Sequence, residues 1–333
     1  MTSGKKHFCI GILVYPGCLR SGAVVPHDVF SIANTLMQAR PAAQRIALQA
    51  VWLSARGHSS ESVNGLSFQT EALQGRKIDA LMLPGIDHQS AYDISERLDM
   101  LLPEQAALRD YLQRDRLLLS SCSATCLLAQ TGLLDGRRTT TSWWLGAYFR
   151  QRYPLVKLEA EELIVQDGNL VSSGGLASYL DLALWLVGHF GGEALRQLCA
   201  KVLVVDANRN SQAPYVASAM VQNQGHAITE RARRWLNQRL DRPWTMAELA
   251  QHCHTSQRTL LRRFQEALGR SPVQYAQQLR VERAKALLET TQLSLEDITA
   301  RCGYQDVSTF SKTFKRWAQV TPKDYRSRFG LRR

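Results

Sequence analysis

TMAELAQHCHTSQRTLLRRFQEALGRSPVQY, from Thr245 to Tyr275, and SLEDITARCGYQDVSTFSKTFKRWAQVTPKDY, from Ser294 to Tyr325, are one pattern written twice. Leu260, Phe264, Pro272 and Tyr275 recur fifty positions later as Phe310, Phe314, Pro322 and Tyr325. Leu249 and Cys253 recur forty-nine later as Ile298 and Cys302, so the second turn is one residue longer. Each copy sets apolar residues at helical spacing on both sides of a short turn, which predicts two helix-turn-helix units. Thr245 with Glu248, and Ser294 with Asp297, form S/T-x-x-D/E capping boxes where the first helix of each unit should begin. Between the units, Tyr275, Leu279, Ala286 and Leu287 mark a continuous helix over 273–290 that would fix their separation. Upstream, Ile228, Ala232, Trp235 and Leu236 share one face of a leading helix, so residues 228–333 read as an all-α domain.

Charge follows the same division. Residues 228–333 carry 21 Lys and Arg against 10 Asp and Glu, whereas residues 1–227 carry 20 against 19. A neutral body with a basic repeated tail suits a ligand that is itself periodic and negatively charged, and double-stranded DNA is the expected partner. The alternative, a solvated basic face, does not account for the repeat. In a helix-turn-helix the second helix enters the major groove, apolar on one side and polar on the other. The helix over 256–268 would bury Leu260, Leu261, Phe264 and Leu268 and present Gln257, Arg258, Arg262, Arg263 and Gln265. Its counterpart over 306–318 would bury Val307, Phe310, Phe314 and Trp317 and present Ser308, Thr309, Ser311, Lys312, Lys315 and Arg316. Arg and Gln grip base edges bidentately while Lys, Ser and Thr suit phosphates, so more base reading is expected from the first unit. An arginine here is as readily a phosphate anchor.

This tandem pattern, with RTLLRRF and STFSKTFKR each followed by a Pro and a Tyr, resembles the AraC/XylS family of bacterial transcription regulators over about 228–329. The resemblance implies two recognition helices addressing successive major-groove segments. Two departures stand out. His254 occupies a turn position usually held by Gly, and Gln319 stands where the first copy has Gly269, so both should adopt left-handed backbone at some strain.

The preceding two thirds alternate β-branched runs with helical patterns, the signature of a mostly parallel sheet covered by helices. Strands are expected at 7–15, 45–55, 78–85 and 116–121, with hairpins around Asn64-Gly65 and at 162–173. Helices are expected at about 26–38, 96–114, 123–130 and 176–189, and a linker at 208–227 separates domain 1–207 from domain 228–333. A chain of 333 residues, 45% hydrophobic, accommodates two such domains. No apolar run approaches the roughly 18 residues of a membrane span, and the N-terminal run into Tyr15-Pro16-Gly17 reads as a strand rather than a signal peptide. Seven cysteines, an odd number, argue for reduced thiols and a cytoplasmic setting.

SSCSATCLLAQTGLLDGRRTTTSWW (120–144) is the sharpest feature of this part. A strand, then Cys122, then a helix, with small Ser120 and Ala124 on either side, is a nucleophile-elbow pattern. It should expose Cys122 at the carboxyl edge of the sheet, above a helix N-terminus that would lower the thiol pKa. With LMLPG before it and DGNLVSSGGLASYLDLALWLV after it, the stretch resembles the PfpI-like, class I glutamine amidotransferase-like fold. Joined to the tail, the whole chain is similar to the GlxA group of regulators. The fold implied is a flavodoxin-like α/β sandwich followed by the all-α domain.

Hydrolytic members of that fold place a His directly after the Cys, where this chain has Ser123. Related regulators often have a His where Ser142 stands, and an acidic residue found in some members is replaced by Gly22. A thiol without base or orienter is a weak catalyst, so no catalytic residue is expected. Nor is a metal or cofactor: Cys122 and Cys126 lie four apart with no second ligand pair. The same edge is where open α/β folds bind ligands, which makes Cys122, Ser123, Ser142, Trp143 and Trp144 the candidate effector-binding residues. Aromatic faces suit cations, and the resemblance implies an amine or amino-acid-like effector. The structural alternative makes these aromatics core or a dimer face. Asp181, inside an apolar helix, is either pocket-lining or a buried hydrogen-bonding residue, and the structural role is favoured. The expectation is thus a regulator, an activator by family habit, working as a homodimer with RNA polymerase and without a membrane. The rival expectation is a thiol-dependent hydrolase or hydratase fused to a DNA-binding tail.

Overall fold

The computed structural model describes residues 6–57, 59–63, 65–112, 116–216 and 227–331. The chain divides into two compact units, Met1–Gln212 and Ala213–Arg333. The first contains, in order, β1 (Lys6–Leu13), α1 (Arg20–Met37), β2 (Ile46–Ser54), β3 (Ser59–Val63), β4 (Leu66–Ala72) and β5 (Ala80–Leu83). These are followed by α2 (Ala91–Met100), α3 (Leu102–Leu112), β6 (Leu117–Ser121), α4 (Ala124–Gln130), β7 (Arg138–Thr139), α5 (Gly146–Arg152) and β8 (Lys157–Leu158). The unit closes with β9 (Ile164–Asp167), β10 (Leu170–Ser173), α6 (Ser178–Gly191) and α7 (Glu193–Leu203).

Among the described residues eight strands make one sheet in the order β3-β4-β2-β1-β5-β6-β10-β9. Neighbours from β4 to β10 run parallel, and only the outer strands β3 and β9 are antiparallel. The apolar runs of β1 and β5 explain their central place: Ile10, Ile12, Ala80 and Leu81 are fully buried, as a strand covered on both faces requires. Helices α1, α6 and α7 pack together, and α4 packs with α2 and α3. This is the expected flavodoxin-like α/β arrangement.

Several boundaries differ from the sequence reading. Helix α1 begins six residues before Pro26, which lies inside it; only one backbone hydrogen bond is lost there, and the buried apolar face continues across it. The single helix expected over 96–114 is two, because Pro103 has no N–H and its ring would collide with the preceding turn. Helices α5 and α7 were not foreseen. Asn64 and Arg114 lie outside the described residues, although Val63 pairs opposite Leu66 as the hairpin requires. The start of the expected linker belongs to the first unit, since Leu163 N–H donates to Asn210 O at 2.9 Å and Gln212 N–H to Glu161 O at 2.8 Å. The stretch 217–226 lies outside the described residues.

The second unit is helical: α8 (Ala227–Asn237), α9 (Met246–His252), α10 (Gln257–Leu268), α11 (Pro272–Thr290), α12 (Leu295–Arg301), α13 (Val307–Ala318) and α14 (Pro322–Phe329). It holds two cores. Trp235, Leu249, Phe264 and Tyr275 belong to the first, Ile298, Phe310, Phe314 and Tyr325 to the second. Helix α11 serves both, giving Tyr275, Ala276 and Leu279 to one and Val281, Ala284 and Leu288 to the other. The sequence repeat reappears as packing. The Phe264 and Tyr275 rings meet edge-on at 5.9 Å, and the Phe314 and Tyr325 rings at 5.5 Å. Thr245 and Glu248 form the reciprocal capping box. Ser294 caps only one way: the shorter Asp297 carboxylate binds the Ser294 hydroxyl at 2.7 Å, and no return bond to the backbone forms.

Candidate functional site

The parallel register brings the carboxyl ends of β1, β5, β6 and β10 to one edge of the sheet. Cys122 stands there in left-handed backbone, φ +58°, with its N–H donating to Ser173 O at 2.9 Å. That is the tight strand-to-helix turn the sequence implied. The loop after β5 comes close enough that a Cβ on Gly85 would lie 3.2 Å from Cys122 Cβ and 3.3 Å from Ser123 Oγ. The Ser123 hydroxyl pins this loop, donating to Ile86 O at 2.8 Å and accepting from Ile86 N–H at 2.9 Å. Ser142 Oγ lies 2.8 Å from Cys122 Sγ, and Thr141 Oγ1 donates to Cys122 O at 2.9 Å.

The expected exposed, acidified thiol is not found. Cys122 is 1% exposed, and burial pushes its thiol above the ordinary value, with the Ser142 and Ser123 hydrogen bonds pulling only partly back. Desolvation of a thiolate outweighs what a seven-residue helix offers at its N-terminus. Ser123 and Ser142 are fully buried as well. Trp143 and Trp144 are half-buried, edge-to-face at 5.3 Å. The Trp144 indole donates to His88 Nε2 at 3.4 Å while His88 Nδ1 lies 2.8 Å from Ile86 O; a proton on Nδ1 satisfies both. Thus Cys122, Ser123, Ser142 and the indoles do converge, in a closed arrangement. Gly22 also has a structural reason, because a Cβ there would lie 3.0 Å from Pro84 Cβ.

Sequence reasoning missed two members of this neighbourhood. One is His88. The other is Gln212, 2% exposed, whose amide is built into the loops around the edge. Its Nε2 donates toward Thr141 O at 2.9 Å, Glu162 O at 3.0 Å, Ala160 O at 3.1 Å and Thr140 Oγ1 at 3.3 Å. Its Oε1 accepts from Gly175 N–H at 2.8 Å and Trp143 N–H at 3.4 Å. The signal in hindsight is the Gly174-Gly175 pair: a Cβ on Gly174 would sit 2.0 Å from Gln212 Cδ. Asp181 is paired with Arg209 beside a cleft of about 380 Å³ that Trp185 and His189 also line. Burial raises its carboxyl pKa and the Arg209 guanidinium draws it down.

In the second unit, Gln257, Arg258, Arg262 and Gln265 form an exposed face of α10, with Arg263 half-buried. Phe264 and Leu260 are buried behind them, whereas Leu261, expected inside, is 43% exposed because it lies in the outward i, i+4 row with Gln257 and Gln265. Arg262 and Arg263 share the Glu266 carboxylate at 3.0 and 3.1 Å. On α13, Ser308, Thr309, Lys312, Lys315 and Arg316 are exposed, while Ser311, Val307 and Trp317 are half-buried. Arg316 donates to the Gln277 side chain of α11. His254 and Gln319 have φ of 52° and 57°, the left-handed backbone expected, against 73° and 65° at the equivalent Gly303 and Gly269.

Residues 20–188 match the DJ-1/PfpI family, and residues 249–328 match a helix-turn-helix domain family. The chain is similar to the HTH-type transcriptional regulator GbdR of Pseudomonas aeruginosa, 28% identical over 66% of this chain and 60% of that protein. It is also similar to the HTH-type transcriptional regulator ArgR of the same organism, 31% identical over 60% of this chain and 61% of that one. The matches therefore span about three fifths of these relatives' length. A solved structure from Vibrio parahaemolyticus is 18% identical with a TM-score of 0.50, covering 60% of this chain and all of that one; the likeness is one of fold. With its flavodoxin-like sheet, its elbow cysteine and its repeated recognition helices in place, the chain belongs to the DJ-1/PfpI family and carries, behind that domain, a helix-turn-helix domain of the AraC type.

Proposed function

We propose that the chain is a sequence-specific DNA-binding transcription regulator, an activator, controlled by a small molecule bound in its α/β domain. The observation that carries this reading is the repetition of one exposed polar face. Gln257, Arg258, Arg262 and Arg263 on α10, and Ser308, Thr309, Lys312, Lys315 and Arg316 on α13, stand on helices fixed from behind by the same Phe–Tyr pair. Such faces read bases and hold phosphates of double-stranded DNA. Relatives carrying the name of transcriptional regulators support it.

The effector site is the edge formed by Cys122, Ser123, Ser142, Trp143 and Trp144, and the effector is of the amine or amino-acid-like class, for which the faces of two indoles set edge-to-face are suited. Effector binding favours the open form of this edge, and regulation follows from a different effector affinity in the two forms. The active species is a cytoplasmic homodimer that engages RNA polymerase. Seven free cysteines fit a reducing compartment. No helix among the described residues is long and apolar enough to cross a membrane. The domain is a sensor rather than an enzyme, because the neighbour of the Cys122 thiol is the Ser142 hydroxyl, which cannot act as a general base near neutral pH.

Selection of duplexes from a random pool with the full-length protein tests the reading. Two short preferred elements about one helical turn apart are expected. Arg262→Ala should relax one or two base positions at a cost of about 1–3 kcal/mol. Equal binding of all duplexes at moderate salt would sink it. A second reading, a thiol hydrolase or hydratase, is favoured by the left-handed Cys122 turn alone. It requires turnover of an amide, nitrile or aldehyde that Cys122→Ala abolishes; no turnover is expected from the parent.

A further inference from the structure

The Gln212 amide reaches three loops at once, loops that are also tied pairwise by Thr140 Oγ1 donating to Glu162 O at 2.9 Å and Gly174 N–H donating to Leu163 O at 2.9 Å. Thr140, Thr141 and Trp143 belong to the loop after β7, Ala160 and Glu162 to the loop before β9, and Gly175 to the turn after β10. One of these partners contacts the elbow, Thr141 holding the Cys122 carbonyl, and Ser142, which lies between the partners Thr141 and Trp143, touches its thiol. Gln212 is also the last residue of its unit, at the point where the chain passes on.

An amide nitrogen has two hydrogens, and four acceptors surround this one within 3.3 Å. Its two hydrogens are therefore shared between the Thr140–Thr141 loop and the Ala160–Glu162 loop, while the amide oxygen serves the third. If the 140–143 loop moves, the amide cannot follow it and still serve Ala160, Glu162 and Gly175. Buried polar groups left unserved are costly, so displacement of the 140–143 loop weakens the amide's hold on the other two loops.

We propose that Gln212 is the positioning residue that ties the state of the Cys122–Trp143 edge to the segment leading out of the α/β domain. Loop displacement by a ligand at that edge loosens the 208–212 segment, whose hold the amide shares with the Leu163–Asn210 and Gln212–Glu161 backbone bonds. The inference rests on the regulator reading for its purpose, and on the geometry alone for its mechanism.

Hydrogen exchange on the full-length protein, followed by mass spectrometry, tests it. Gln212→Ala should raise exchange about tenfold in the 140–143, 159–163 and 174–175 loops together, as well as in 208–212. Gln212→Glu preserves size but turns a carboxylate toward carbonyl oxygens. It should behave like the alanine variant at pH 8 and recover parental protection as the carboxyl protonates on acidification, a pH dependence that a purely space-filling role would not produce. Gly174→Ala should reproduce the alanine pattern by expelling the amide, and Gln212→Ala should suppress its effect. On a duplex chosen by the parent protein, Gln212→Ala should change affinity at least about threefold. Exchange that rises only in 208–212, or an unchanged duplex affinity, overturns the proposal. A parent protein that prefers no duplex overturns the regulator reading instead, and the exchange pattern still decides the role of Gln212.

Discussion

His254 and Gly303 occupy the same turn of the two repeats, and only one of them has a free choice of side chain. Both are left-handed, but a Cβ on Gly303 would lie 2.3 Å from the Leu240 carbonyl oxygen. Gly303→Ala should therefore destabilise the second unit by about 2–3 kcal/mol or more, while His254→Gly should stabilise it by about 1 kcal/mol, both measurable by urea unfolding. Asp181 gives a pH-dependent counterpart. Its carboxyl pKa is already raised by burial with Arg209 beside it, so Arg209→Ala raises it further by removing the opposing charge. The variant should lose about 2 kcal/mol at neutral pH, and the loss should fade as pH falls through the raised folded-state value. Cys122 should be alkylated slowly at pH 8, more slowly than the half-buried Cys9: burial pushes both thiols up, and Cys122 is also closed off from reagent. Rapid labelling of Cys122 at that pH would mean the edge stands open.

At the scale of elements, what the sequence made legible was whatever rests on neighbours in the chain. The repeat, the caps at Thr245 and Ser294, and the elbow at Cys122 depend on local spacing and were readable. The burial of Cys122 was not, because it depends on Gly85 and Ser142 arriving from other strands. Gln212 was read as linker for the same reason: its side-chain partners lie 37 to 72 positions away. Helix α7 was legible too, with Leu195, Leu198, Cys199 and Val202 at helical spacing, and went unread. Helix α11 was read correctly as continuous, and its function as a shared wall of two cores follows from having apolar positions on more than one side. A proline at exposed Arg283, in its interior, should cost about 3 kcal/mol and weaken binding to a two-element duplex far more than to either element alone. Gel-shift titration of the three duplexes checks this.

For the whole molecule, the distribution of charge sets the behaviour with salt. Nearly all the excess cation lies in residues 228–333, so duplex affinity should fall with log salt by about 0.9 per phosphate neutralised. Two units making roughly three to five phosphate contacts each would give a slope of about −5 to −9. A slope near zero, measured by titration across a salt series, would remove phosphate from the account. The rod between the reading heads has a further effect on operator architecture. Its 19 residues extend about 28 Å, and each end is cemented into a different core, so the heads cannot swivel independently. Inserting one base pair between the two elements of an operator rotates them by roughly 34° about the duplex, since B-form DNA takes about 10.5 base pairs per turn. Tolerance of such insertions is then governed by how readily the DNA untwists, and the protein acts as a caliper of fixed opening.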